Sequence, residues 1–242
     1  MGGLFSTPRK VLFILTSAED ATWNEKTGYW LEEVAEPYYA FLKAGFTVEI
    51  ASIAGGKPPC DPTSQGDEWQ TDNTRKFESD PKVQEMMEST TKLSEIEDIV
   101  SYECLFIPGG HGTCFDIAKS EILAALLPRF LSSGGIISAV CHGPLGLTKA
   151  IKADGSPLVK GVKVTGFSNS EEKAVGKDRK VPFLLESKLK ELGAEYSCGP
   201  NWEPYVVAEE QIVTGQNPKS SLLTAQKTIA ILNINKKSVF CG

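Results

Sequence analysis

The chain has 242 residues, 41% of them hydrophobic, and a net charge of −6. That is enough apolar residue for a sizeable core, and the lack of a basic block argues against a nucleic-acid surface. No apolar run reaches the length of a membrane span, and none has the form of a signal peptide. The six cysteines, Cys60, Cys104, Cys114, Cys141, Cys198 and Cys241, show no CxxC spacing. Scattered thiols fit a reducing cytoplasm better than a disulfide framework. With only two histidines, His111 and His142, no structural zinc site is expected.

The chain opens "MGGLFS", which fits the pattern for acylation of Gly2. An unmodified tail is the simpler reading, and one acyl chain would anchor only marginally. "KVLFILTS" (10–17) is a continuous apolar run, as in a strand buried on both faces. "TGYWLEEVAEPYYAFLKAG" (27–45) reads as a helix with a kink at Pro37 and a stop at Gly45. "FTVEIASI" (46–53) is a second strand. The polar, Gly/Pro-rich stretch 55–75 is long for a connection and suggests a lid or irregular insertion. A short helix near "PKVQEMMEST", a strand "ECLFIPGG" (103–110) and a helix "SEILAALLPRFLSSGG" (120–135) come next.

The stretch "GGIISAVCHGPLGL" (134–147) then sends the apolar strand Ile136–Val140 straight into Cys141, His142 and a Gly-Pro helix start. Further on, "GVKVTGF" reads as a strand and "VPFLLESKLKELG" as a helix. "YVVAEEQIVTG" reads as a hairpin turning at Glu209 and Glu210. "NPKSSLLTAQKTIAILN" closes the chain as a helix capped by Asn217. Alternating strands and helices predict one α/β domain over residues 1–242, a flavodoxin-like, mostly parallel sheet with helices on both faces. Ligands of such sheets bind beyond the carboxyl ends of the strands. Three loops lie there: the one after Leu15, the "PGGHG" after Ile107, and the turn at Cys141.

A strand entering a helix through a tight turn forms a nucleophile elbow, which pushes the turn side chain out at the top of the sheet. Gly143 allows close backbone approach there. A helix N-terminus next to Cys141 would favour its thiolate. In the first helix, Trp30, Val34, Pro37 and Phe41 form an apolar stripe. Glu33 falls at its edge, where desolvation would raise its pKa, whereas Glu32 and Glu36 rotate toward solvent. Glu171 and Glu172 come after a Ser-Asn pair that could cap a helix. His111 lies in the glycine turn, where a structural loop histidine is the first reading and a pocket-lining one the second.

"AVCHGP", with "PGGHGT" upstream, resembles the ThiJ/PfpI superfamily. "LTS", "KTGYWLEE" and "VTGFSNSEE" narrow the likeness to its glutathione-independent glyoxalase branch, also described as heat-shock chaperones. The resemblance runs from about Lys10 to Asn233. It implies that Cys141 is the nucleophile and His142 the adjacent histidine. It makes Glu33 the glutamate that contacts the thiol and Glu172 the acid that pairs with the histidine. Gly109 and Gly110 match the glycine turn near the oxyanion site.

The implied reaction converts methylglyoxal, and glyoxal, to D-lactate and glycolate without a cofactor or a metal. The resemblance also implies a homodimer acting on a small 2-oxoaldehyde, with no nucleic-acid partner and no membrane partner unless Gly2 is acylated. A glutamine amidotransferase would need a His-x-Glu far downstream, and no histidine lies beyond His142. The alternatives are a PfpI-like cysteine peptidase and, in a different class, a holdase chaperone or redox sensor whose thiol is an oxidation switch.

Overall fold

The computed structural model describes residues 8–240, with side chains described as far as Asn235. Gly2 and Cys241, and with them the question of acylation, lie outside the described residues. The sheet has seven strands: β1 (Lys10–Leu15), β2 (Thr47–Ser52), β3 (Thr91–Lys92), β4 (Cys104–Ile107), β5 (Ile136–Val140), β8 (Val206–Glu209) and β9 (Ile212–Gly215). Their order is β3-β2-β1-β4-β5-β9-β8, and all neighbours are parallel except the β8–β9 hairpin. β6 (Lys163–Val164) and β7 (Glu195–Tyr196) form a separate parallel pair.

The helices are α1 (Leu31–Lys43), α2 (Asp72–Ser79), α3 (Pro81–Glu88), α4 (Glu121–Ser132), α5 (Asn169–Ala174), α6 (Leu185–Glu191) and α7 (Ser221–Phe240). The crossover carrying α1 steps from β1 to β2 in one direction along the sheet, and that carrying α4 steps from β4 to β5 in the other. Right-handed crossovers therefore put α1 and α4 on opposite faces, and α7 packs beside α1. Among the described residues no helix is long and apolar enough to cross a membrane.

Burial on both faces explains why β1, β4 and β5 are near-continuous apolar runs. Every residue of β4 and β5, and all of β1 after Lys10, is buried. Phe13 and Phe106 stack at 4.8 Å, and the edge of Phe41 from α1 meets each at 6.0 Å. The order in which strands are added to the sheet reverses between β1 and β4, so the carboxyl ends of β1, β4 and β5 frame the sheet's switch point.

Several expected elements shift. "GVKVTGF" contributes only the two residues of β6 and does not join the main sheet. Thr165 N–H donates to the Thr214 hydroxyl and Phe167 N–H to the Cys141 carbonyl, so its backbone groups are spent at the sheet's end. The β8–β9 turn falls on Glu210 and Gln211, one residue later than expected. Glu210 supplies the positive φ, +49°, that strand twist demands of a two-residue loop. Gln211 is pinned there because its amide donates to the carbonyls of Leu131 and Gly135.

The 55–75 stretch forms two 3-10 turns, Pro62–Gln65 and Asp67–Trp69, and then enters α2, which the sequence did not announce. It is fastened to α1 at both ends. Ser64 Oγ accepts the Leu31 N–H, a capping group that Trp30 cannot supply, while Thr71 and Asn73 donate to Glu36.

Candidate active site

Cys141 leaves β5 with φ at +58°, in the left-handed region that costs an L-residue ~1–2 kcal/mol. Two backbone bonds hold it there: its N–H donates to Gly215 O at 2.9 Å, and its carbonyl accepts Phe167 N–H at 2.8 Å. Gly143 is required by space, since a Cβ at that position would lie 2.0 Å from Ile107 O. Beyond the elbow the chain makes a five-residue 3-10 turn, Gly143–Leu147, and not the expected α-helix. So short a turn has little dipole to offer. Burial and the Glu33 carboxyl push the Cys141 thiol up, not down, which reverses the expectation of a readily formed thiolate.

Glu33 is fully buried, beyond the stripe-edge position expected of it. Its Oε2 accepts the Gly109 N–H at 2.6 Å, and its carboxyl lies beside the Cys141 thiol. Burial raises this carboxyl well above the ordinary carboxylate range. The approach depends on Gly109, where a Cβ would sit 2.5 Å from His142 N and 2.8 Å from Glu33 Oε2. The Gly109 N–H is thereby committed to Glu33, and it is the Gly110 N–H that faces the thiol. Glu32 and Glu36 are half-buried and do not project freely into solvent. Burial and the neighbouring Glu36 raise Glu32 to about 7, while Glu36 is occupied with Thr71 and Asn73.

On the other side of the thiol, His142 Nδ1 lies 3.4 Å from Cys141 Sγ, and its Nε2 is 2.7 Å from Glu172 Oε2. The second oxygen, Glu172 Oε1, is 2.8 Å from His111 Nε2. One carboxylate thus accepts from two imidazoles, which places an Nε2–H on both rings and turns His142 Nδ1 toward the sulfur. Burial opposes charge on Glu172, but His142 and His111 together hold its carboxyl well below the usual range.

The structure brings Cys141, Glu33, His142 and Glu172 together and separates the two candidate acids, since Glu171 points elsewhere. His111, read from the sequence as a loop residue, is a member of this cluster. Its position at the carboxyl end of β4, directly after the glycine pair, was the available signal. His111, His142 and Glu172 also form the one group among the described residues whose donor atoms could converge on a metal. In the structure those atoms are spent on one another.

Burial, and then His142 beside it, hold His111 down to about 4. The unfolded chain therefore binds its proton from about pH 6.5 downward, while the folded chain does not until about pH 4. This residue's contribution to stability is complete above pH 6.5 and is lost as the pH falls toward 4. The slope is at most ~1.4 kcal/mol per pH unit. Urea unfolding between pH 4 and 7 should show a flatter pH dependence in His111→Gln than in the wild type. Parallel curves would contradict the buried, neutral assignment.

Above these groups is a cavity of about 130 Å³ lined by Trp30, Trp69, Phe167, Trp202, Val175 and Pro218, with Gly110, His111, Cys141 and His142 at its base. The hollow of about 860 Å³ between Tyr39, Lys76 and Ile229 is larger but holds no cysteine or histidine. Trp202 has φ at +63°. The buried Glu171 holds it in place, its Oε1 accepting Trp202 N–H at 3.0 Å and the Asn217 amide at 2.9 Å. Glu171 Oε2 accepts the N–H and hydroxyl of Ser168, closing the capping box of α5. Neither Trp69 nor Trp202 lies in a periodic segment, so sequence pattern alone did not bring them to the site.

Fold and site define a flavodoxin-like α/β protein with a cysteine at a strained elbow on the switch point of its sheet. Residues 26–231 match the DJ-1/PfpI family, and the chain belongs to that family. It is 34% identical over 238 residues to the glutathione-independent glyoxalase HSP31 of Saccharomyces cerevisiae, covering 93% of this chain and 98% of that one. It is 31% identical to glyoxalase 3 of Candida albicans, covering 93% and 99%. Among solved structures it is similar to the Rapid Encystment Protein 24 KDa of Francisella tularensis, with a TM-score of 0.88, 36% identity, and 93% and 99% of the two chains covered. It is also similar to glyoxalase III of Candida albicans, with a TM-score of 0.83, 30% identity, and 92% and 96% covered.

Proposed function

We propose that the protein is a glutathione-independent glyoxalase, a D-lactate dehydratase-type lyase that adds water to methylglyoxal to give D-lactate and converts glyoxal to glycolate. The observation that carries this reading is the fully buried Glu33 carboxyl beside the Cys141 thiol, its pKa raised by that burial. A group with a raised pKa next to a sulfur nucleophile suits a proton shuttle at the carbon bonded to that sulfur. Two of its relatives are named as glyoxalases, which supports the glyoxalase part of this reading. A cavity of about 130 Å³ favours a small molecule over a peptide.

The Cys141 thiol gives its proton to His142 Nδ1, and the sulfur forms a bond to the aldehyde carbon. Glu33 protonates the resulting alkoxide, with the Gly110 N–H steadying the oxygen. This leaves a hemithioacetal, a Glu33 carboxylate and a His142 imidazolium beside Glu172. The carboxylate then takes the proton from the sulfur-bearing carbon, while the imidazolium protonates the neighbouring carbonyl oxygen, giving an enediol. Glu33 returns its proton to the second carbon as His142 removes the first carbon's hydroxyl proton, and a thioester results. Water attacks the thioester and gives a proton to Glu33, and the departing sulfur takes its proton from His142. One carbon is oxidised and its neighbour reduced, so no external oxidant or reductant is needed.

Lactate formation from methylglyoxal by purified protein, without added thiol, tests the reading directly. In heavy water, a proton carried by Glu33 exchanges with solvent before it is returned. The lactate should therefore carry deuterium next to its methyl group, and the methyl proton signal should collapse toward a singlet. A clean doublet would mean the original hydrogen travels across, as in a hydride shift, and the shuttle would have to be abandoned.

A further inference from the structure

We propose that the cavity over Cys141 is a seat for an aryl group, so that the preferred 2-oxoaldehydes carry a flat apolar substituent, phenylglyoxal being the simplest. This rests on the glyoxalase reading and specifies its substrate class. Methylglyoxal presents a single methyl group to the wall, yet the wall is built from three of the chain's four tryptophans together with Phe167. Trp30 and Trp69 meet edge to face at 5.1 Å and 80°, and Phe167 and Trp202 meet at 5.8 Å and 58°. An added ring gains from edge-to-face or offset contacts with such pairs, whereas a methyl group leaves most of their surface wet.

The cavity has a volume of about 130 Å³. No lysine or arginine lines it, so nothing there matches a phosphorylated or carboxylated substituent. The polar groups lie at the base, where the reacting carbons must sit.

The wall is also held firmly. Trp202 keeps its left-handed backbone because Glu171 binds it, and the same Glu171 oxygen secures Asn217, next to the lining residue Pro218. Trp69 is set by the 3-10 turn that precedes the cap of α2. A preorganised wall spends no ordering entropy on its ligand, which favours rigid, planar substituents over flexible ones.

The reaction of phenylglyoxal keeps the same balance: water is added, the aldehyde carbon is oxidised, the ketone carbon is reduced, and mandelate is released. Initial rates should give a kcat/KM for phenylglyoxal at least ~10-fold above that for methylglyoxal, the scale on which an apolar pocket discriminates. In Trp202→Ala, and separately in Trp69→Ala on an independent segment, the ratio of the two should fall about tenfold. A wild-type ratio of one or less overturns the aryl seat while leaving the glyoxalase reading intact.

Saturation-transfer NMR with acetophenone and acetone, which lack the aldehyde, reads the seat without turnover. Saturable acetophenone binding that weakens in Trp202→Ala, with acetone giving no signal, supports it. If neither aldehyde is turned over but acetophenone binds in this way, the glyoxalase reading fails and the seat stands. If neither aldehyde is turned over and acetophenone does not bind, both fail.

Discussion

Cys141→Ala should lose at least ~10³-fold in turnover of methylglyoxal, the scale set by deleting the nucleophile of a covalent centre. What remains is the reaction that binding and the Gly110 N–H can support by themselves. The fold should persist. The substitution removes one sulfur from a buried site, and Gly215 and Phe167 still hold residue 141 by its backbone. A further variant separates chemistry from strain. Cys and Ala both pay for a φ of +58°, and Gly does not, so Cys141→Gly should be inactive yet more stable than Cys141→Ala by about 1 kcal/mol. Urea denaturation of the two variants measures this difference. Retained turnover in Cys141→Ala would remove the covalent mechanism, and equal stabilities would remove the claim of elbow strain.

Glu33→Gln should cost ~10²–10⁴-fold in kcat, the range expected when a general acid–base group is lost. The amide fits the same space, and its oxygen can still accept the Gly109 N–H now bound by Oε2. Because burial already raises the native carboxyl well above the ordinary range and so disfavours its charge, the neutral amide should unfold at a similar urea concentration. Glu32→Gln is the control. It lies on the same helix and its pKa is also raised, to about 7, but it makes no contact with the thiol, so kcat should change only a few-fold. Comparable losses at the two positions would show that α1 acts through its overall charge and not through one carboxyl.

The elbow was legible because its signal is local: a five-residue apolar strand, a cysteine and a glycine that must lie close to another backbone. Glu33 was only half legible. Helical periodicity placed it at the edge of a stripe, but its full burial comes from Gly109, 76 residues away, whose missing Cβ lets the carboxyl in. His111 was ranked as a loop residue first and a pocket residue second for the same kind of reason, since its partner Glu172 is 61 residues distant.

The titration of Cys141 was expected in the wrong direction. The sequence suggested a helix dipole, and the structure supplies a five-residue turn, complete burial and an adjacent acid. The strand at "GVKVTGF" failed because alternation cannot show whether a neighbour will offer backbone or side-chain partners. The hairpin slipped by one residue because Gln211, not Glu209, has carbonyls within reach of its side chain.

The wall of tryptophan and phenylalanine comes from four separate stretches of chain: the start of α1, the turn before α2, the segment before α5 and the loop before β8. None of these touches the thiol until the parallel sheet has brought distant segments into register, and pairing of that kind is slow because large loops must close first. The aromatic chamber therefore exists only where that long-range pairing does. Before it forms, Cys141 belongs to a partly ordered strand end, without the burial and the neighbouring carboxyl that keep its proton in place. In the folded chain that enclosure includes Trp202, which Glu171 holds by its backbone N–H.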